Sequence, residues 1–396
     1  MDEAKIRIPV SISTAELERR WKSTRSAMKE KGIDFLLMHN SADYLGGYVK
    51  WFTDLPAVHN FPVTVIFPRE EEMTTIWHGA RSPREPNPPA WALRGVKKRI
   101  SVPNLPSLGY TNTYDAEQVV AELLPYGKCR IGLVGMGQMS AAFYKYVSEH
   151  LTAAIIEDAA DLVDEIKAVK SDEEFDHIRK TCEIQDAVFE YAVTRIQPGR
   201  KDWEVFADVK HKCLALGSEQ QLIIGGSAPR GTRAPMFHCH YGNRVIAKGD
   251  QFYLLIECNG PSGFYAHLAR TVSLGEIPSE LGEKFELARM AQKESLALLR
   301  PGADPVSVWD RYNEFLRSRG YPEESRIFAH NQGYDLVERP SLNPGETIKI
   351  QARMNISVHP GIGSPKAFAN VCENYMTFES KNPECLHKTP QKIFVI

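Results

Sequence analysis

At 396 residues the chain is too long for one compact core, and its 43% hydrophobic and 25% charged residues are those of a folded protein, not a disordered one. Lys+Arg 48 against Asp+Glu 50 leaves a net charge of -2 and no basic footprint, which speaks against nucleic acid and anionic membrane surfaces as partners. No apolar run approaches the ~20 residues of a membrane span. The opening MDEAKIRIPV lacks the basic and apolar regions of a signal peptide, and seven scattered cysteines without a CxxC pair suit reduced thiols. These features predict a cytoplasmic location.

The first part reads as an α/β unit. Leu17, Trp21 and Met28 give Ala15 to Lys31 helical spacing, stopped by Gly32. Ile33 to Met38, Phe61 to Phe67, Thr74 to Trp77 and Ile131 to Val134 read as strands. Gly135-Met136-Gly137-Gln138 lacks the third glycine of a dinucleotide loop and reads as a plain strand-to-helix turn. The boundary between domains falls near residues 155–170, giving domains 1–160 and 161–396. Ser171 and Glu174 then have the spacing of a capping box and start a long helix that ends at Pro198-Gly199.

A faint repeat follows. Pro198-Gly199 and Pro301-Gly302 each separate two helices, and Lys248-Gly249-Asp250 and Pro344-Gly345-Glu346 each precede an alternating stretch, Gln251 to Leu254 and Thr347 to Ile350. Two helices followed by a hairpin, twice, predict a pseudo-symmetric curved antiparallel sheet with helices outside and a pocket on its concave face. Ionisable residues concentrate in five segments: Met236 to Arg244, Glu257 to Thr271, His330 to Pro340, Met354 to Pro360 and Val371 to Tyr375.

The order of these five segments, with the helices between them and the opening stretch through Tyr44-Leu45-Gly46-Gly47, resembles the creatinase/aminopeptidase P/prolidase family, the pita-bread fold. The resemblance implies a homodimer. Metallopeptidases of that family hold two divalent metals through Asp, Asp, His, Glu and Glu. Carried onto this chain, the first Asp falls at Ile256 or Glu257, the second at His267, the His at His330, the first Glu at His359 and the last Glu at Glu373. A second histidine of the peptidases falls at Val337. Two close metals need anionic bridging ligands, and a neutral imidazole neither bridges nor cancels charge. The exchange of two carboxylates for His267 and His359 therefore predicts that no dinuclear site forms.

Two readings of the site remain. In the leading one the protein needs no cofactor. Like creatinase, it opens a non-peptide C–N (amidine or amide) bond of a small polar nitrogen-containing substrate, with His238 as acid/base. Glu257, Glu373 and His330 assist, and His267, His359, Tyr265, Arg270, Glu338, His240 and Trp51 contact substrate. In the other, His267, His330, His359 and Glu373 hold one Zn or Fe. An Xaa-Pro peptidase, a lyase acting on a small zwitterion such as dimethylsulfoniopropionate, and a non-catalytic binding protein are further alternatives. Plainer roles compete for individual residues. His240 reads equally as a hydrogen-bonded structural histidine, Arg270 as a brace for its strand, and Glu338-Arg339 as an ion pair before a turn. Tyr48, Trp51, Phe52 and His59 read equally as a hydrophobic interface.

Overall fold

Ser13 opens the first helix by accepting a hydrogen bond from Glu16 N at 3.0 Å. Helix α1 (Thr14–Lys31) stops where Gly32 takes a left-handed conformation (φ 70) and turns its N–H back onto Met28 and Lys29. The computed structural model describes residues 11–40, 44–45, 47–56, 61–79, 90–103 and 113–396. They form two compact units, Ser11–Lys167 and Ala168–Ile396.

The first unit builds one six-stranded sheet. Its strands are β1 (Phe35–Asn40), β2 (Val63–Pro68), β3 (Met73–His78), β4 (Val96–Val102), β5 (Arg130–Val134) and β6 (Ile155–Asp158), in the order β4-β3-β2-β1-β5-β6. The expected strands are present with boundaries moved by one or two residues. Helices α2 (Gly47–Thr53), α3 (Tyr114–Leu123), α4 (Ala141–His150) and α5 (Ala160–Ala168) accompany them. Gly135 to Gln138 forms a short 3-10 turn, as expected of a plain connection.

The second unit opens with α6 (Asp172–Arg195), whose start is the reciprocal capping box of Ser171 and Glu174. Its first half continues with α7 (Asp202–Ala215), β7 (Gln221–Ala228), β8 (Phe237–His238), β9 (Gln251–Asn259) and β10 (Tyr265–Ser273). The second half runs α8 (Ser279–Leu298), α9 (Pro305–Arg317), β11 (Ala329–Asn331), β12 (Glu338–Ser341), β13 (Asn355–Val358), the hairpin β14 (Gly361–Gly363) and β15 (Phe368–Asn370), and β16 (Glu373–Met376). Short strands β17 (Glu384–Cys385) and β18 (Phe394–Val395) close the chain.

The halves match in space as well as in sequence. One sheet runs β10-β9-β7-β8 and the other β16-β13-β11-β12, with β18 and β17 added at the near ends. They meet at a bridge between Ala269 and Cys372. Gly249 (φ 88) and Gly345 (φ 93) both take left-handed conformations in turns, the first two residues before β9 and the second ten residues before β13. The alternating stretch Thr347 to Ile350, however, is not a strand. The Glu346 carboxylate accepts from the backbone N–H groups of Ser341, Thr347 and Ile348, which bends the chain and removes those donors from any ladder.

Strand alternation separates two faces. Phe252, Leu254, Ile256 and Cys258 of β9 and Leu268 and Val272 of β10 pack under α6 and α7. Ile356 and Val358 of β13 do the same in the core of the second half, with α8 and α9. Each such side chain contributes on the order of 1.5–3 kcal/mol through burial. Tyr253, Leu255 and Ala269 lie on the opposite, inner face with Phe368 and Cys372.

Candidate functional site

Register determines what the inner face carries. Directly opposed residues of antiparallel strands point the same way, and Glu257 of β9 is opposite His267 of β10. Both have the parity of the inner residues Leu255 and Ala269. Glu257 Oε1 lies 3.6 Å from His267 Nδ1 and accepts a hydrogen bond from Gln332 Nε2 at 2.7 Å. Burial pushes the Glu257 carboxyl well above the usual carboxylate range, which favours its protonated form.

The second half contributes two more imidazoles. His330 lies in β11, and its Nδ1 is 3.0 Å from the carbonyl of Asn331. That contact puts the ring proton on Nδ1 and leaves the lone pair of Nε2 free. His359 follows β13, and Asn370 holds its carbonyl at 2.9 Å. The rings of His267 and His359 and of His330 and His359 are centred 5.1 Å apart. One ring nitrogen from each of the three histidines lies within 4.8 Å of the others. Nε2 of His267 and Nε2 of His359 are buried without a hydrogen-bond partner among the described residues. Burial first, and then the neighbouring histidines, hold His267 and His359 well below the ordinary imidazole range. Burial brings His330 down to about 4. All three are therefore neutral at pH 7, with lone pairs available.

A polar layer steadies the cluster. Ser357 Oγ is 3.2 Å from His267 Nδ1, and Asn374 Oδ1 accepts from the His267 backbone N–H at 2.7 Å. Asn374 Nδ2 donates to Gln332 Oε1 at 2.8 Å and to Asn355 Oδ1 at 3.0 Å. Gln332, Ser357 and Asn374 are not among the residues that the sequence singles out. The two-residue period offered a signal for two of them, because Gln332 follows His330 by two and Ser357 precedes His359 by two.

Several expected site residues are placed elsewhere. Glu373 of β16 is opposite Val358, on the helix-covered side. There it is paired with Arg270 Nη2, accepts from Tyr375 Oη at 2.6 Å and is bonded by Gln391 Nε2. Gln292 of α8 approaches it at 3.4 Å. Both carboxylate oxygens are thus engaged away from the imidazoles. Arg270 is three residues from His267 and so lies on the opposite face; it is fully buried and also donates to the carbonyls of Ala269, Thr389 and Pro390. It braces the strand from the face opposite the His267 side chain, away from the substrate contact expected of it.

Glu338 forms a buried ion pair with Lys170 at 2.7 Å and accepts from Tyr334 N at 2.9 Å, which makes it a structural anchor. Tyr265 shares the inner face with His267, and its hydroxyl donates to Gln220 at 2.6 Å. His238 is exposed on the edge strand β8, opposite Ile224, which is opposite Leu255. It therefore belongs to the same face as Glu257, at the solvent edge. His240 is exposed, with its ring 5.5 Å from that of His238. Trp51 is buried inside the first unit, its ring 5.0 Å from Phe52 and 5.4 Å from the Arg20 guanidinium, so its side chain is a core element there. His59 lies outside the described residues.

Comparison with known proteins agrees with this architecture. The sequence profile of metallopeptidase family M24 matches residues 176–378, just over half of the chain, and the chain belongs to that family. A probable dipeptidase PepE of Mycobacterium bovis is 26% identical over 243 residues. That match covers 60% of this chain and only 63% of the relative's length. An uncharacterised hydrolase/peptidase of Sinorhizobium fredii is 26% identical over 99% of both chains. Among solved structures, prolidase from Thermococcus sibiricus superposes with a TM-score of 0.79 at 16% identity, covering 98% of this chain and all of the other. Dipeptidase PepE from Mycobacterium ulcerans gives 0.77 at 19% identity, covering 98% and 99%. These two likenesses establish the pita-bread fold.

The pair of metals that the family resemblance implies does not fit this donor set. Two divalent cations bring four positive charges. The inner face offers three neutral imidazoles and one buried carboxyl, while Glu373 faces away and is neutralised by Arg270. Among the described residues no carboxylate is grouped with the histidines as a metal-binding set.

Proposed function

We propose that this chain is a hydrolase that cleaves an amide-type C–N bond of a small polar molecule on the inner face of its second unit, with Glu257 as proton donor. The observation that carries the reading is the buried Glu257 carboxyl, held by Gln332 and 3.6 Å from His267 Nδ1, beside a histidine cluster in which Nε2 of His267 and of His359 has no hydrogen-bond partner among the described residues. Membership of a peptidase family and relatives named as dipeptidases support the bond type.

In the proposed reaction a water molecule adds its oxygen to the carbon of the bond. The C–N bond breaks, the leaving nitrogen takes the Glu257 proton, and the proton released by the water restores the carboxyl. Gln332 holds Glu257 in place through its 2.7 Å hydrogen bond. His238 stands two strands across and two residues along from Glu257, roughly 12 Å at the usual strand geometry. From the solvent edge it would relay protons between pocket and bulk water. The three cluster histidines are too weakly basic near neutrality to act as the base. All seven cysteines are free thiols, which supports a reducing, cytoplasmic setting. No described helix is long and apolar enough to cross a membrane.

The test is a product assay by mass spectrometry on a panel of Xaa-Pro and other dipeptides, N-acyl amino acids and small amidines. Cleavage of a C–N bond is expected, with Glu257→Gln slower by about 10²–10⁴-fold. A folded protein that cleaves no member of the panel, or Glu257→Gln with full turnover, overturns the proposal.

A further inference from the structure

We propose that His267, His330 and His359 bind one divalent transition-metal ion of the zinc class, in place of the two-metal centre that the family resemblance implies. One ring nitrogen from each already lies within 4.8 Å of the others. Nitrogen ligands around a tetrahedral zinc at 2.0–2.1 Å sit about 3.3 Å apart, so small side-chain rotations close the set. Buried imidazole nitrogens without partners cost free energy, and Nε2 of His267 and of His359 are both in that state. A shared cation satisfies both at once.

The surroundings are arranged as metal-bound histidines require. A ligand histidine normally has its second nitrogen held by a hydrogen bond, which orients the ring. The Asn331 carbonyl does this for His330, and Ser357 and Glu257 flank Nδ1 of His267. Three neutral ligands would leave the ion its full charge, and His267, His330 and His359 would thereby hold a Lewis acid beside Glu257. A second ion would find one carboxyl at most, that of Glu257, because Glu373 is committed to Arg270 on the far side of the sheet. The inference deepens the hydrolase reading by supplying its cofactor, yet metal binding is measurable without any substrate.

The experiment loads the full-length protein with zinc, removes excess by gel filtration and measures the metal by elemental analysis. About one equivalent per chain is expected. His330→Ala and His359→Ala should each weaken binding at least ~100-fold, whereas Glu373→Gln should keep one equivalent. Cobalt titration of the unaltered protein gives a reading that does not depend on any variant folding, since a three-histidine site should show the intense visible bands of four-coordinate cobalt. Two equivalents in the unaltered protein, no retained metal, or histidine variants that bind as tightly as the parent would overturn the inference. Hydrolysis by fully metal-stripped protein would overturn this centre and leave the hydrolase reading standing. One bound equivalent with no hydrolysis of the panel would do the reverse.

Discussion

Arg270 and Glu373 are paired on the helix-covered side of β10 and β16, on the opposite face from the His267 side chain three residues from Arg270. Neither side chain has measurable exposure beyond 1%. Breaking such a pair from one side leaves an uncompensated buried charge. Arg270→Met is therefore expected to lose about 3–5 kcal/mol of stability, measured by urea unfolding. The double variant Arg270→Met/Glu373→Leu should recover much of it. Equal stability of Arg270→Met and the parent would show that the pair does not form.

His330 predicts a pH dependence of stability in the metal-free protein. Its ordinary imidazole value of 6.5 falls to about 4 in the folded chain, with burial as the main cause. Between those values the unfolded state binds a proton that the folded state refuses. The contribution of the neutral ring is thus fully present above pH 6.5 and is lost as the pH falls toward 4. The difference corresponds to about 3 kcal/mol. Unfolding free energies measured from pH 7 to pH 4 should fall less steeply in His330→Asn than in the parent.

Gln332 donates to Glu257 and to the carbonyl of Leu336. Its own oxygen accepts from Asn374 Nδ2, which also donates to Asn355 Oδ1. Gln332→Leu leaves buried polar atoms without partners, at a cost of about 1–3 kcal/mol by denaturant titration. It should also lower turnover while changing KM little, because the group it orients is the proposed proton donor. Unchanged turnover would place Gln332 outside the reaction.

Ser171 caps α6 reciprocally with Glu174, at 3.1 Å and 2.8 Å. Ser171→Ala should cost about 1 kcal/mol in unfolding experiments and leave metal binding and turnover unaltered.

Much of this protein is legible without coordinates. The capping box, the strands of the first unit and the doubled helix-helix-hairpin plan all follow from local rules, because caps and alternation depend on neighbours in the chain. The same two-residue period that places His267 inward places Arg270 outward, so the bracing role of Arg270 was available from spacing alone. Glu373 is different. Its strand offers two faces, and only pairing with Val358 decides which one meets the imidazoles. That choice removes the carboxylate from the cluster and reduces the four-residue set of His267, His330, His359 and Glu373 to three histidines. Likewise Glu338 finds Lys170 across 168 positions of sequence, and Glu346 captures backbone donors that would otherwise have built a strand. Local order thus came from the sequence by itself. The number of charges facing the imidazoles was decided by tertiary pairing, because the electrostatics of a buried carboxylate depend on which partner the fold brings within hydrogen-bonding distance.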